Sequence, residues 1–271
     1  MKRTRVKRLL LTATVALLVA TAGCSGLTGD DGTADGTNDG NGAGYGAAGA
    51  DLDGATLTTA TGDAVESGGS FTLETASTLT QSQNNQTRTV TSETSLRVEL
   101  DDDRGIRNQT QTVESATDSQ ERTTVVYTSG NTSYRKQTAQ GGTTYDRQNG
   151  TTQTFGAIQP VNTARFAQNY TGIVDGFSWE QSGSGEVGGV AVTEYSVTGE
   201  PDKETLGLGG NTTIEDASGT LSVDSDGVIR QADIDYTVVT AQGSASIDAT
   251  TTLTQVGSTS VAEPGWLSEA N

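Results

Sequence analysis

Alternation of apolar and polar residues is the feature of this sequence that most restricts its fold. Residues 71–79 carry Phe, Leu, Thr, Ser and Leu at every second position, and residues 90–100, 232–238 and 245–253 repeat the alternation. Side chains two residues apart in a strand point to the same face of its sheet. Threonine and valine are frequent in these runs, and both favour strands. We therefore predict a mainly β (α+β) fold of antiparallel strands with one face buried.

Short turn sequences separate the alternating runs. DSDG at 224–227 stands between two of them and predicts a hairpin, because Asp and Gly suit tight turns. TSGNTS at 128–133 and RQNGTT at 147–152 predict two further turns. Just before the turn at 128–133, Val125 and Tyr127 have the parity expected of a buried face, and Val126 breaks it.

Two segments have helical spacing, and both are expected to cover the sheet. Residues 56–66 predict a short helix before the first strand. Pro160 suits the first turn of a second helix, whose apolar stripe would consist of Ala164, Ala167, Tyr170, Val174 and Phe177. At the end of the chain, Pro264 is expected to break the last strand, and Trp266 with Leu267 to cap the domain.

The N-terminus predicts export. Residues 2–8 hold five basic residues, and a short apolar run follows as far as Ala20, which is the pattern of a signal peptide over residues 1–23. The run is shorter than a membrane span, although an uncleaved anchor helix is the alternative. The sequence LLVATAGCSG resembles a lipoprotein lipobox, with Thr21 where Leu is usual. The resemblance implies that Cys24 is lipidated and anchors the chain to the extracellular face of the cell membrane.

Residues 24–50 predict a flexible tether, and residues 51–271 the folded domain. The tether is built of Gly, Asp, Thr and Ala, which bury too little apolar surface to offset the entropy of ordering. Residues 30–40 are loosely spaced like a calcium loop but lack its closing glutamate, so a solvated linker is the preferred interpretation.

Composition excludes several classes of function. The chain has 34 acidic and 16 basic residues and a formal net charge of −18, which argues against nucleic-acid binding. It has no histidine and a single cysteine, so the common catalytic triads and zinc sites are excluded. No carboxylate pair stands out from the acidic background as a glycosidase site. We predict no enzyme activity, no catalytic residue, no metal site and no cofactor. The acidity resembles that of haloarchaeal secreted proteins.

The order of elements resembles a family. The chain contains, in succession, a lipobox, a tether, a leading helix, long strands, a central helical insertion, the hairpin GTLSVDSDGVIRQADIDY and the closing EPGWL. This succession is similar to that of haloarchaeal membrane lipoproteins with a LolA/LolB- and LppX/LprG-like carrier domain. The resemblance implies a strongly curved antiparallel sheet, a half-barrel, with helices over its open mouth. It also implies a hydrophobic cavity that holds a lipid-like ligand.

The few aromatic residues are the candidate ligand-binding residues. They are Phe155, Phe166, Tyr170, Phe177, Trp179 and Trp266. A chain with so few aromatics needs them for packing, so a role as core anchors is the favoured alternative. Arginines of the middle strands, including Arg107, Arg122 and Arg135, are expected to form solvated ion pairs, with contact to a headgroup as the alternative.

Six N-x-S/T motifs are candidate glycosylation sites on an exported chain. They are Asn85, Asn108, Asn131, Asn149, Asn169 and Asn211. The predicted function is that of a lipid-anchored extracytoplasmic protein of a halophile which binds a hydrophobic or amphiphilic ligand in the half-barrel. The alternative is a surface interaction or scaffold lipoprotein with a packed core, whose partners would be envelope proteins. A glycan-directed enzyme is a distant third.

Overall fold

The computed structural model describes residues 52–84, 86–149, 172–209 and 211–270. The predicted signal peptide, Cys24 and the tether lie outside these residues, as do Asn85, Phe155, Phe166, Asn169 and Tyr170. Residues 172–176 of the described chain are helical. Its elements with defined bounds are one further α-helix, eleven strands and a C-terminal 3-10 helix. They are α1 (Gly54–Gly68), β1 (Ser70–Gln83), β2 (Gln86–Glu99), β3 (Arg104–Ser115), β4 (Asp118–Ser129), β5 (Thr132–Ala139), β6 (Gly142–Asn149), β7 (Ser178–Val187), β8 (Val190–Thr198), β9 (Thr213–Asp224), β10 (Ile229–Thr240), β11 (Gly243–Thr254) and the 3-10 helix Leu267–Ala270.

All eleven strands belong to one antiparallel sheet. Their order is β6-β5-β4-β3-β2-β1-β11-β10-β9-β8-β7. Consecutive strands therefore pair with each other, except that β6 and β7 do not. The two halves of the sheet are joined by the pairing of β1 with β11. Strands β6 and β7 form the two edges, and the sheet is not closed. This confirms the mainly β prediction, and the arrangement is consistent with a curved half-barrel.

One face of the sheet, here called the inner face, carries the core. Leu73 pairs with Leu96 on β2 and with Leu253 on β11, and side chains of directly paired residues point the same way. The predicted parity is therefore correct for β1, β2, β10 and β11. The opposite face is called the outer face.

In β4 the predicted parity is wrong. Val126 pairs with Arg107 on β3, opposite Leu96, and joins the core on the inner face. Tyr127 is buried on the outer face, where its ring lies 6.2 Å from that of Tyr134. Both faces of β4 thus bury large side chains at this end, so alternation could not identify the inner face.

Helix α1 packs on one end of the inner face and confirms the helix predicted over 56–66. Asp53 caps its first turn, since its carboxylate accepts a 2.6 Å hydrogen bond from the amide of Thr56. Hydrogen bonds from the side chain and then the amide of Thr56 lower the pKa of Asp53. Leu57 and Val65 are buried in the core with residues of the sheet. The hydroxyl of Thr61 accepts a 2.9 Å hydrogen bond from the amide of Ile229 and donates to the carbonyl of Leu57. The helix is thereby fixed to β10.

The DSDG turn forms the predicted hairpin between β9 and β10. Asp224 is buried, and its carboxylate accepts hydrogen bonds from the amides of Asp226 and Val228, at 2.9 and 3.0 Å. Arg230 forms a 2.7 Å ion pair with the same carboxylate. Gly227 has a φ of 80°, a conformation in which Gly is favoured. The turn therefore contains an ion pair between Asp224 and Arg230 that is largely buried.

The last strand ends earlier than predicted. Strand β11 stops at Thr254, because Gln255 adopts a φ of 51° and a turn follows, ten residues before Pro264. Thr259 then bonds to Thr72 on the outer face, with 2.9 Å between the hydroxyl oxygens. The 3-10 helix contacts β5 and β6, and the rings of Trp266 and Tyr145 are 6.1 Å apart. The C-terminal segment thus packs against the outer face.

Replacing Asp224 with Ala should destabilise the domain by about 3–5 kcal/mol, because Arg230 would be left buried without its partner. The matched control is Asp226→Ala in the same turn, whose side chain is exposed and whose effect should stay within about 0.5 kcal/mol. Denaturant titration in molar KCl measures both. Equal effects of the two substitutions would contradict the role assigned to Asp224.

Candidate ligand-binding site

The inner face has two parts. At one end α1 and residues 172–177 pack on it, and Leu57, Phe71, Val174 and Leu253 are buried there. Farther along the same strands, every inner-face residue of β1 from Thr75 to Gln81 is only half-buried. The second part of the inner face therefore keeps solvent-exposed surface.

Small side chains line the beginning of this second part. Thr75 pairs with Thr94 and Thr251, and in the next row Ser77 pairs with Ser92 and Ala249. None of these six side chains is larger than threonine. Two adjacent rows of small side chains thus follow the packed end on the inner face.

An apolar row follows these small residues. Leu79 pairs with Val90 and Ile247, and the row continues to Val113 on β3 and Tyr236 on β10. We call these five residues the distal row. All five are half-buried, and burial raises the pKa of Tyr236. The row crosses five strands, a path of about 19 Å at the usual strand spacing. It is an apolar strip on the inner face that α1 does not cover.

A basic pocket adjoins the apolar part of the inner face. It has a volume of about 250 Å³ and is lined by three arginines, Arg107, Arg122 and Arg135, together with glutamines and Val126. The register places all three arginines on the inner face, since Arg107 and Arg135 both pair with Val126, and Arg122 pairs with Gln111. Sequence alone predicted solvated ion pairs for these arginines. The three arginines come together because β3, β4 and β5, which carry one each, pair with one another.

The three arginines have different partners. Arg135 forms an ion pair with Asp146 on the edge strand β6. Arg122 donates a 2.6 Å hydrogen bond to the side-chain oxygen of Gln137. Arg107 is half-buried, which lowers its pKa, and within the described chain its buried Nε has no hydrogen-bond partner. Neither Arg107 nor Arg122 has a carboxylate oxygen within 4.0 Å among the residues that the structure describes.

The candidate aromatic residues do not form one group. Phe177 is buried, and its ring lies 6.1 Å from Trp179 and 6.0 Å from Tyr236 of the distal row. Trp179 donates a 3.0 Å hydrogen bond to the carbonyl of Val174 and packs on the core. Trp266 instead contacts Tyr145, whose position in β6 places it on the outer face. Phe177 and Trp179 thus adjoin the inner face, whereas Trp266 does not.

The remaining candidates are the glycosylation motifs and a metal site among the acidic side chains. Four glycosylation candidates are exposed, namely Asn108, Asn131, Asn149 and Asn211. Over residues 52–270, apart from the gaps given above, no three acidic, His or Cys side chains are grouped to hold a metal ion. Among the helices described, none combines the length and the apolar character needed to cross a membrane.

Comparison with known proteins gives one family and several distant structures. A family model described as "Family of unknown function (DUF7537)" matches residues 9–270. No curated protein matches the chain. LprF from Mycobacterium bovis is 16% identical with a TM-score of 0.38, over 78% of this chain and 96% of its own. The Mycobacterium tuberculosis lipoprotein LppX is 15% identical with a TM-score of 0.32, over 74% of this chain and 94% of its own.

Proposed function

We propose that this chain, which belongs to the family of unknown function DUF7537, is a lipid-anchored extracytoplasmic protein that binds a hydrophobic or amphiphilic ligand on the inner face of its sheet. The proposal assigns it no chemical reaction. Binding would consist of the burial of apolar chain against the small residues and the distal row.

The observation that carries the proposal is the half-buried distal row beside two rows of small side chains. An alkyl chain laid along Leu79, Val90 and Ile247 would remove their remaining apolar surface from water. Each buried methylene contributes about 0.8 kcal/mol, so about eight of them would supply about 6 kcal/mol before the cost of ordering the ligand. The small side chains of Ser77 and Ala249 give that chain room.

The second candidate function is a scaffold lipoprotein whose sheet only presents surfaces to envelope proteins. The packing of two candidate aromatics favours it, since Phe177 is buried against Trp179 and Trp179 packs on the core. The two candidates differ in whether the distal part of the inner face accepts a ligand.

Substitution of Ser77 by Trp should block ligand binding. The indole would lie over the small side chains between the packed end and the distal row, so we expect affinity for the uncharged probe Nile red to fall at least about tenfold, or about 1.4 kcal/mol. Ala76→Trp is the matched control, because Ala76 is exposed on the outer face of the same strand. Fluorescence titration measures both variants. Equal loss in the two, or no binding by the native chain, would favour the scaffold.

Replacement of Cys24 by Ser should release the protein from the membrane. The proposed anchor is a lipid on the thiol of Cys24, and the hydroxyl of serine does not replace it. Fractionation of the native source should place the wild-type chain with membranes and the variant in the soluble or precursor fraction, and mass spectrometry should show the lipid adduct only on the wild type. A wild-type chain with an unmodified thiol would contradict the anchor.

Thermal stability should rise with salt if the chain is adapted to a halophile. With 34 acidic against 16 basic residues, repulsion between carboxylates opposes folding at low ionic strength. In molar salt the screening length falls to about 3 Å. We therefore expect Tm to increase steadily from dilute to molar KCl in a circular dichroism melt. A Tm independent of KCl would contradict this adaptation.

A further inference from the structure

We propose that the basic pocket binds the anionic headgroup of the ligand, a phosphate or carboxylate group held by Arg107, Arg122 and Arg135. The inference rests on the proposed function, because it assigns the polar end of the ligand whose apolar end lies on the distal row. It narrows the ligand class from hydrophobic molecules in general to anionic amphiphiles.

The arginines are concentrated in a chain that has few basic residues. The sequence has 16 Lys and Arg against 34 acidic residues, yet three arginines line a single pocket of about 250 Å³. At about 30 Å³ for each water, such a pocket holds about eight waters, enough space for a phosphate or carboxylate group. Of the residues lining it, none is acidic.

Arg135 is paired with Asp146, but the other two arginines of the pocket have no acidic partner among the described residues. The buried Nε of Arg107 has no hydrogen-bond partner within the described chain, and Arg122 bonds only to the neutral side chain of Gln137 there. A half-buried guanidinium such as that of Arg107 loses part of its hydration without gaining a counter-charge, and a bound anion would offset this loss. Guanidinium groups suit phosphate and carboxylate because they donate two parallel hydrogen bonds to the oxygens.

The pocket and the distal row are continuous on the inner face. Gln111 lines the pocket, and Val113 of the distal row is the next inner-face residue of the same strand, about 7 Å farther along. On its other side, Arg107 pairs with Leu96 of the core. A headgroup at the arginines therefore places the attached chain directly over Val113, Val90 and Leu79.

The test compares decyl phosphate with decanol, which share an alkyl chain and differ in charge. We expect the native chain to bind decyl phosphate about tenfold tighter in calorimetric titrations at constant salt, as charge-assisted hydrogen bonds imply. Arg107→Gln should abolish this preference and leave the affinity for decanol unchanged. Arg97→Gln, an exposed arginine on the outer face of β2, is the matched control and should keep the preference.

A second variant and a second ligand make the test complete. Arg122→Gln changes an exposed side chain, so it tests the pocket even where Arg107→Gln does not fold. Inorganic phosphate should bind much more weakly than decyl phosphate, and equal affinity would overturn the headgroup assignment in favour of a free anion. Equal affinities of the native chain for decanol and decyl phosphate would overturn this inference and leave the proposed function standing. Binding of neither compound would overturn both.

Discussion

The packing of α1 on one end of the inner face is the interaction on which the other features depend. An open antiparallel sheet has one apolar face that must be covered, and Leu57 and Val65 cover it where Phe71 and Leu253 lie. Strand β1 has 14 residues, about 47 Å when extended, whereas a helix is about 10–12 Å across. A helix packed at one end of strands this long therefore leaves much of their length uncovered by α1.

Alternation predicted most of the sheet because one face of β1, β2, β10 and β11 is apolar along much of its length. It failed at β4, where Val126 and Tyr127 are both buried, on opposite faces. The hairpin was predictable from DSDG, but the ion pair of Asp224 with Arg230 was not, because local spacing does not show which carboxylate becomes buried. The tail was mispredicted since Gln255, not Pro264, ends the strand.

The candidate site was less predictable than the fold, because its parts come from distant positions. The distal row combines residues from Leu79 to Ile247, and only the pairing of β1 with β11 brings these two side chains together. The basic pocket likewise combines residues of different strands, β3, β4 and β5, although these strands are close together in the sequence. In β3 the only isoleucine, Ile106, points outward, while Arg107 points to the inner face beside Leu96. A hydropathy pattern alone would favour the reverse orientation.

The half-burial of Arg107 within the basic pocket also agrees with the proposed habitat. In molar salt the interactions of exposed charges are screened within about 3 Å, so an arginine on the open surface would attract an anionic ligand weakly. A half-buried guanidinium is screened much less, and paired hydrogen bonds to a phosphate or carboxylate depend on short contacts more than on long-range attraction. Arg107, with its buried Nε beside the core, meets both conditions. Arg122 and Arg135 are exposed. If the proposed anionic ligand is bound in molar salt, Arg107 is therefore the arginine whose contact with it is screened least.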